Sequence, residues 1–412
     1  MTALLLSVFV FGYLLITLEQ PLRVNKTATA LLIGALLWAI LATNGFSVAS
    51  LPEHLSGIAG ILFFLMGAMM IVELIDAHQG FRLVTQLVRT RNKRQLLWII
   101  SFIAFFLSAA LDNLTTAIVM MTLLRKLVEE KSDRMLFGAA IIVSANAGGA
   151  WSPIGDVTTT MLWIGGQISA SQIILRVFFP SLLSMLIPLV WFSFLLKGKF
   201  PALNSSDLPE SKPGGRLVFF LGIISLLLVP AFKNITGLPP WMGIILAVGL
   251  LWLITELMHA RNEERAELRL ASLLGKIDLS SILFFLGILL AVAALDSAGI
   301  LSQLSLQLRA SVPDQDFVIG GLGLLSAIVD NVPLVAAAMG LYPLNDFTMD
   351  HHVWEMMAYC AGTGGSILII GSAAGVVVMG MEKIPFGWWL RKISLPVLIG
   401  YLAGWGMMVL FS

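Results

Sequence analysis

Two carboxylates stand where a carboxylate is hard to keep. Asp112-Asn113, followed by Thr115 and Thr116, lies midway along the apolar stretch 96–124. Asp156 closes the run Ser144-Ala145-Asn146-Ala147-Gly148-Gly149-Ala150-Trp151-Ser152-Pro153-Ile154-Gly155, and Thr158, Thr159 and Thr160 come soon after. Glycines and Pro153 interrupt a helix and free its carbonyls and amides at membrane depth. An ionised carboxylate in such a place needs a proton, a partner or a metal ion. Asn146, Ser152, Thr158 and Thr159 supply neutral oxygens, the donors that hard cations bind. Plainer roles exist: Asp112 can cap the helix that follows it, and the glycines can serve helix packing. A water-facing loop would cap equally well, however, and packing leaves Asp156 unexplained.

The second half repeats this pattern with less charge. Ser108-Ala109-Ala110-Leu111-Asp112-Asn113 matches Ser326-Ala327-Ile328-Val329-Asp330-Asn331, and Gly148-Gly149 with Ile154-Gly155 matches Gly364-Gly365 with Ile370-Gly371. Phe63-Phe64-Leu65, leading to Asp76, is echoed by Phe284-Phe285-Leu286, leading to Asp296. Three matches in one order at nearly one offset mark an internal repeat. Ser372 stands where the first half has Asp156, so two unequal sites are expected, with the cation mainly at the first. Asp330 completes the same site, carries a proton or caps its helix. Ser144, Ser152, Thr116, Thr363, Ser366 and Asn331 are secondary candidates. Glu73, one turn inside the third span, is a candidate proton relay, whereas Asp76, Asp296 and His78 read as water-facing residues at span ends. No Lys or Arg lies near the polar centre of any of the four interrupted segments, which disfavours an anionic cargo.

The elements that hold these residues follow from composition. The chain has 412 residues, 58% hydrophobic and only 12% charged, with a mean hydropathy of +0.93. A soluble domain has about 25% charged residues, so this is an integral membrane protein. A net charge of +1 and one cysteine exclude nucleic-acid binding by bulk charge and a disulfide framework. His-Glu-x-x-His and Gly-x-Ser-x-Gly are absent, and no enzyme activity is expected. Spans are expected at 3–19 (a retained helix, not a signal peptide), 27–46, 56–76, 173–196, 217–232, 241–258, 280–296 and 386–410. Interrupted spans are expected at 135–163 and 353–381, and re-entrant hairpins at 96–124 and 317–341. That is an all-α polytopic fold of about ten full spans. Residues 1–199 form one repeat, 200–216 a cytoplasmic linker and 217–412 the other. Five spans per repeat invert the second copy, as in secondary transporters. With both termini outside, all but Arg176, Lys233 and Arg309 of the 25 basic residues face the cytoplasm, as the positive-inside rule requires.

At Asp112-Asn113-Leu114-Thr115-Thr116, at 144–156 and at Glu73-Leu74-Ile75-Asp76 with His78 and Gly80, the sequence resembles NhaD-type sodium/proton antiporters of the ion transporter superfamily. The resemblance runs from His54 to the C-terminus. It implies a homodimer in the inner membrane, each subunit with a scaffold domain and a transport domain that holds the hairpins and broken helices. Sodium-coupled dicarboxylate carriers of that superfamily have Ser-Asn-Thr at the hairpin tips; here an acid replaces the serine, and the second tip, Asp330-Asn331-Val332-Pro333, lacks threonines. The expectation is exchange of Na⁺ (and Li⁺) for H⁺ without a cofactor, at Asp112, Asn113, Asn146, Asp156, Thr158 and Thr159. The main rival is an arsenite or anion permease on the same fold.

Overall fold

The computed structural model describes residues 1–17, 19, 24–83, 90, 92–199, 212–260, 267–312 and 314–411, with backbone only at Thr17, Lys126, Arg309 and Ala310. Arg23, Arg89, Arg91, Arg261 and Arg265, used in the orientation reading, and residues 200–211 of the expected linker lie outside the described residues. So do the side chains of Lys126 and Arg309.

Among the described residues the regular structure is helical, one of the two forms that satisfy the backbone where lipid offers it no hydrogen bonds. Among the described residues six single helices are long and apolar enough to cross a membrane, seven with one bent pair, and with the shorter and broken segments they make ten spans in order. Spans one to three are Thr2–Thr17, Lys26–Thr43 and Leu51–Ala77. Span four is the broken pair Lys131–Ala150 and Val157–Ile164, and span five is Ala170–Leu195. Spans six to eight are Gly215–Thr236, Pro240–His259 and Leu279–Ser297. Span nine is the broken pair His352–Gly364 and Ala373–Glu382. Span ten is Phe386–Lys392 with Ser394–Leu410, bent by 55°. Between spans three and four lies the first hairpin, Lys93–Ser108 and Asn113–Leu127; between eight and nine lies the second, Gln315–Leu325 and Asn331–Leu341. Both hairpins begin slightly earlier than expected, the first because Asn92 caps it by accepting from the amides of Arg94 and Gln95.

The inverted repeat is visible in the packing. Span two packs on span eight as span seven packs on span three, and span one on span two as span six on span seven. Each hairpin lies against the broken span that follows it, and spans five and ten, equivalent in the repeat, pack on each other. The glycine pairs make the close approaches possible. A Cβ at Gly148 would overlap the Phe105 carbonyl oxygen, and one at Gly364 the Gly323 carbonyl oxygen, which is the matching contact. Ser108 Oγ donates to the Ala145 carbonyl at 2.7 Å and Ser326 Oγ to the Ala361 carbonyl at 3.0 Å, so the repeated serines also tie hairpin to broken helix.

Two bodies result. Spans one to three pack with six to eight, while the hairpins, broken helices and spans five and ten form the other group. Glu382 is buried in the second body between Arg125 Nε at 2.5 Å and Arg134 Nε at 2.8 Å. It thereby joins one hairpin to both broken spans.

Candidate functional site

Each interrupted segment restarts on a capped helix. Asp112 Oδ1 accepts from the Thr115 amide at 2.7 Å, while its Oδ2 accepts from the Thr115 hydroxyl at 2.6 Å. Asp156 accepts from the Thr158 amide at 3.2 Å, Asp330 from the Val332 amide at 3.1 Å and Ser372 from the Gly375 amide at 3.1 Å. Asp112 and Asp330 therefore do cap their helices, as Asp favours. All four capped starts line one chamber of about 80 Å³ at the junction of the two bodies.

The two unequal half-sites expected from the repeat lie side by side. Inversion packs the helix restarting at Val157 against the second hairpin, and the helix restarting at Ala373 against the first. The two half-sites therefore merge around Asp156, which is only 2% exposed. Asn113 Nδ2 donates to Asp156 Oδ2 at 3.2 Å, and Asn331 Nδ2 reaches the same oxygen at 3.4 Å. Asn113 Nδ2 also donates to Asn146 Oδ1 at 3.0 Å. Asn146 Nδ2 in turn donates to Ser366 Oγ at 2.8 Å and Ser372 Oγ at 3.0 Å. Among the described residues no basic side chain forms an ion pair with Asp156.

Other candidates fall outside this network. Thr159 Oγ1 turns to the Ala150 carbonyl at 3.4 Å, Ser152 Oγ to the Ala109 carbonyl at 2.5 Å and Thr363 Oγ1 to the Tyr359 carbonyl at 2.6 Å. The Thr159 and Ser152 bonds satisfy carbonyls at the breaks, and the Thr363 bond is an ordinary one to the preceding turn of its own helix. Thr116 Oγ1 and Ser144 Oγ are buried without a hydrogen-bond partner.

A vestibule of about 440 Å³ adjoins the chamber, and Asp112 lines both spaces. Glu73, Asp76, Arg82, Lys276 and Asp278 line the vestibule, with Lys276 Nζ 3.9 Å from Glu73. A further cavity of about 420 Å³, beside His54, Gly57, Trp241, Asp296 and Ala336, shares no lining residue with the chamber.

Sequence reading missed four features. Thr160 lines the chamber. Lys26, the first residue of span two, places Nζ 2.8 Å from Asp330 Oδ2 and 4.5 Å from the Phe284 ring centre. Nothing in the sequence separates it from an ordinary lysine at a span end. The Glu382 pairs join groups too distant in the chain to be matched by eye. His78 does not face water: it is fully buried, and its Nε2 lies 3.0 Å from His259 Nε2. Its Nδ1 lies 2.8 Å from the Leu74 carbonyl oxygen. Burial holds the His78 imidazole below its ordinary range, and His259 and Lys212 lower it further against the Leu74 bond.

Inverted broken helices that start in one chamber between two bodies define a membrane transporter. A model of the ion-transporter family described as "Citrate transporter" matches residues 13–357. Sodium/proton antiporter 1 of Arabidopsis thaliana is 47% identical over 403 residues, covering 96% of this chain and 70% of that protein. The Na(+)/H(+) antiporter NhaD of Vibrio cholerae is 30% identical over 431 residues, covering 96% of this chain and 89% of its own. The crystal structure of the YdaH transporter of Alcanivorax borkumensis superposes with a TM-score of 0.64 at 12% identity, covering 94% of this chain and 98% of that one. The chain belongs to this ion transporter family, and within it is of the NhaD antiporter type.

Proposed function

We propose that the protein exchanges Na⁺ (and Li⁺) for H⁺ across the cytoplasmic membrane, with both termini outside and as a homodimer. One observation carries the reading: the buried Asp156 carboxylate, gripped by one asparagine from each hairpin and without a basic partner among the described residues. Such a charge is costly in a low-dielectric interior until a proton or metal ion neutralises it. Proton and ion then compete for one group, and competition of this kind couples their movements. Asp112, at the mouth between vestibule and chamber, is the second exchanging carboxylate. Asn113, Asn146, Thr158 and freed carbonyls complete the shell; Thr159 belongs to the backbone of the break. The vestibule faces the cytoplasm, since Arg82 and Lys276 stand at its rim on the side favoured by the positive-inside rule.

Size and caps support a cation. Organic ligands commonly occupy about 300–1,000 Å³, well above the chamber's about 80 Å³. The four helix starts, which could hold an anion, already spend an amide on a side-chain cap. Lys26 in the chamber lining favours the rival reading, an arsenite or other anion permease. The test uses everted vesicles from cells without their own antiporters, energised to a proton gradient and read by a ΔpH dye. Na⁺ and Li⁺ are expected to dissipate the gradient with the native chain and not with Asp156→Asn. A gradient indifferent to both ions, in vesicles that contain the protein, overturns the reading and directs attention to labelled arsenite and citrate uptake.

A further inference from the structure

We propose that Lys26 is a latch residue, an internal cation that clamps the second hairpin to span two in this orientation and must let go in the other. The two hairpin tips are equivalent in the repeat but not in their surroundings. Asp112 lines the open vestibule and has no ion pair within reach among the described residues, whereas Asp330 is held by Lys26 at 2.8 Å. The two side chains of that bond are 27% and 21% exposed, so water screens it only in part. Lys26 belongs to the body of spans one to three and six to eight; Asp330 belongs to the body of hairpins and broken helices. The bond therefore crosses the junction that has to shift when access alternates.

The lysine is itself fixed. Asn25 caps its helix by accepting from the Thr27 amide at 2.8 Å, and Thr27 Oγ1 lies 2.9 Å from Ser280 Oγ on span eight. The Phe284 ring of span eight lies under the ammonium. Span two and span eight thus present one oriented positive charge to the hairpin tip. No residue at the start of span seven, the equivalent of span two, is basic: it reads Pro239-Pro240-Trp241. Among the described residues the device is single, and it favours the orientation seen here. Paired in this way, Asp330 is a conformational group, which leaves Asp112 and Asp156 to exchange ions. This rests on the exchange reading only in requiring a cycle between two orientations.

The test reads orientation rather than transport. In a Cys360→Ala background, Ile118→Cys reports on the vestibule and Ala336→Cys on the opposite cavity, each by its rate of reaction with a charged maleimide in membranes open on both sides. Lys26→Ala is expected to slow Ile118→Cys and speed Ala336→Cys, changing the ratio by about tenfold, as loss of a charge-assisted bond of ~1.4 kcal/mol would. Asp330→Asn removes the charge pairing from the other side, leaving only a neutral acceptor, and is expected to shift the ratio in the same direction. Lys26→Asp with Asp330→Lys is expected to restore the native ratio. An unchanged ratio in both single variants, or a shift that the swap fails to reverse, overturns the latch. Neither readout depends on which ion is carried, so failure of the latch and failure of Na⁺/H⁺ exchange are separate results.

Discussion

Asn331 Nδ2 lies 3.4 Å from Asp156 Oδ2, although the two residues belong to opposite halves of the repeat. Together with Asn113 at 3.2 Å on the same oxygen, it makes Asp156 the point where both hairpins meet one carboxylate. Asp156 is thus shared between the two hairpins, and motion of either alters the field at its carboxylate.

The two asparagines should therefore matter comparably. Hydrogen bonds to a charged group contribute about 1.5–3 kcal/mol. Asn113→Ala and Asn331→Ala are each expected to raise the half-saturating Na⁺ concentration about tenfold or more, measured by ΔpH dequenching across a Na⁺ series. A large effect at Asn113 with none at Asn331 would restore a site confined to the first half.

The carboxylates themselves should separate by position. Asp156→Asn keeps an acceptor for the Thr158 amide but has no charge to exchange, so exchange is expected to vanish while the protein still folds. Asp112 sits at the vestibule mouth with Thr115 on both its oxygens. Asp112→Asn is also expected to abolish exchange, whereas Asp112→Glu keeps the charge and should retain part of it. Near-normal exchange in Asp112→Asn, which still caps a helix, would make Asp112 a helix cap alone. Vesicle assays normalised to protein in the membrane decide between them.

Much of this architecture was legible in the chain because lipid is a strict solvent. Breaks in apolar segments need Gly, Pro or a capping acid, so Asp112, Gly148-Gly149, Pro153 and Asp156 marked the irregular backbone, and the repeat marked its partners. What the chain concealed was which polar groups meet. The Lys26–Asp330 bond joins residues 304 apart in sequence, and the convergence on Asp156 depends on each restarted helix crossing to the opposite hairpin. His78 misled for a related reason: it packs against His259, on a different span, which its own neighbours in the chain do not reveal.

The matched glycines offer a test of the repeat's packing. Gly148→Ala and Gly364→Ala would drive a methyl into the backbone oxygens of Phe105 and Gly323. Overpacking of this kind costs about 1–3 kcal/mol, and backbone neighbours yield little. Both variants are expected to lower the melting temperature in detergent and to reduce exchange. Gly321→Ala and Gly406→Ala, where an added Cβ meets nothing within 4 Å, are expected to leave the melting temperature unchanged or higher, since alanine favours helix. Equal effects in all four would remove the close approach as the reason for the glycines.

The histidine pair predicts an acid limit to stability. His78 lies just past the end of span three, and its buried imidazole is held below the ordinary range near 6.5. For a histidine whose folded value is depressed, the unfolded chain takes up its proton first as pH falls. Stability is therefore complete above the unfolded value and is lost as pH drops from there toward the folded one. Protonation of His78 also sets a positive charge against His259 Nε2 at 3.0 Å. The melting temperature of the solubilised protein is expected to fall between about pH 7 and 5. His259→Gln, which offers His78 Nε2 an amide that can turn its oxygen toward a protonated ring, should flatten that decline. An equally steep decline in His259→Gln would place the acid sensitivity elsewhere in the protein.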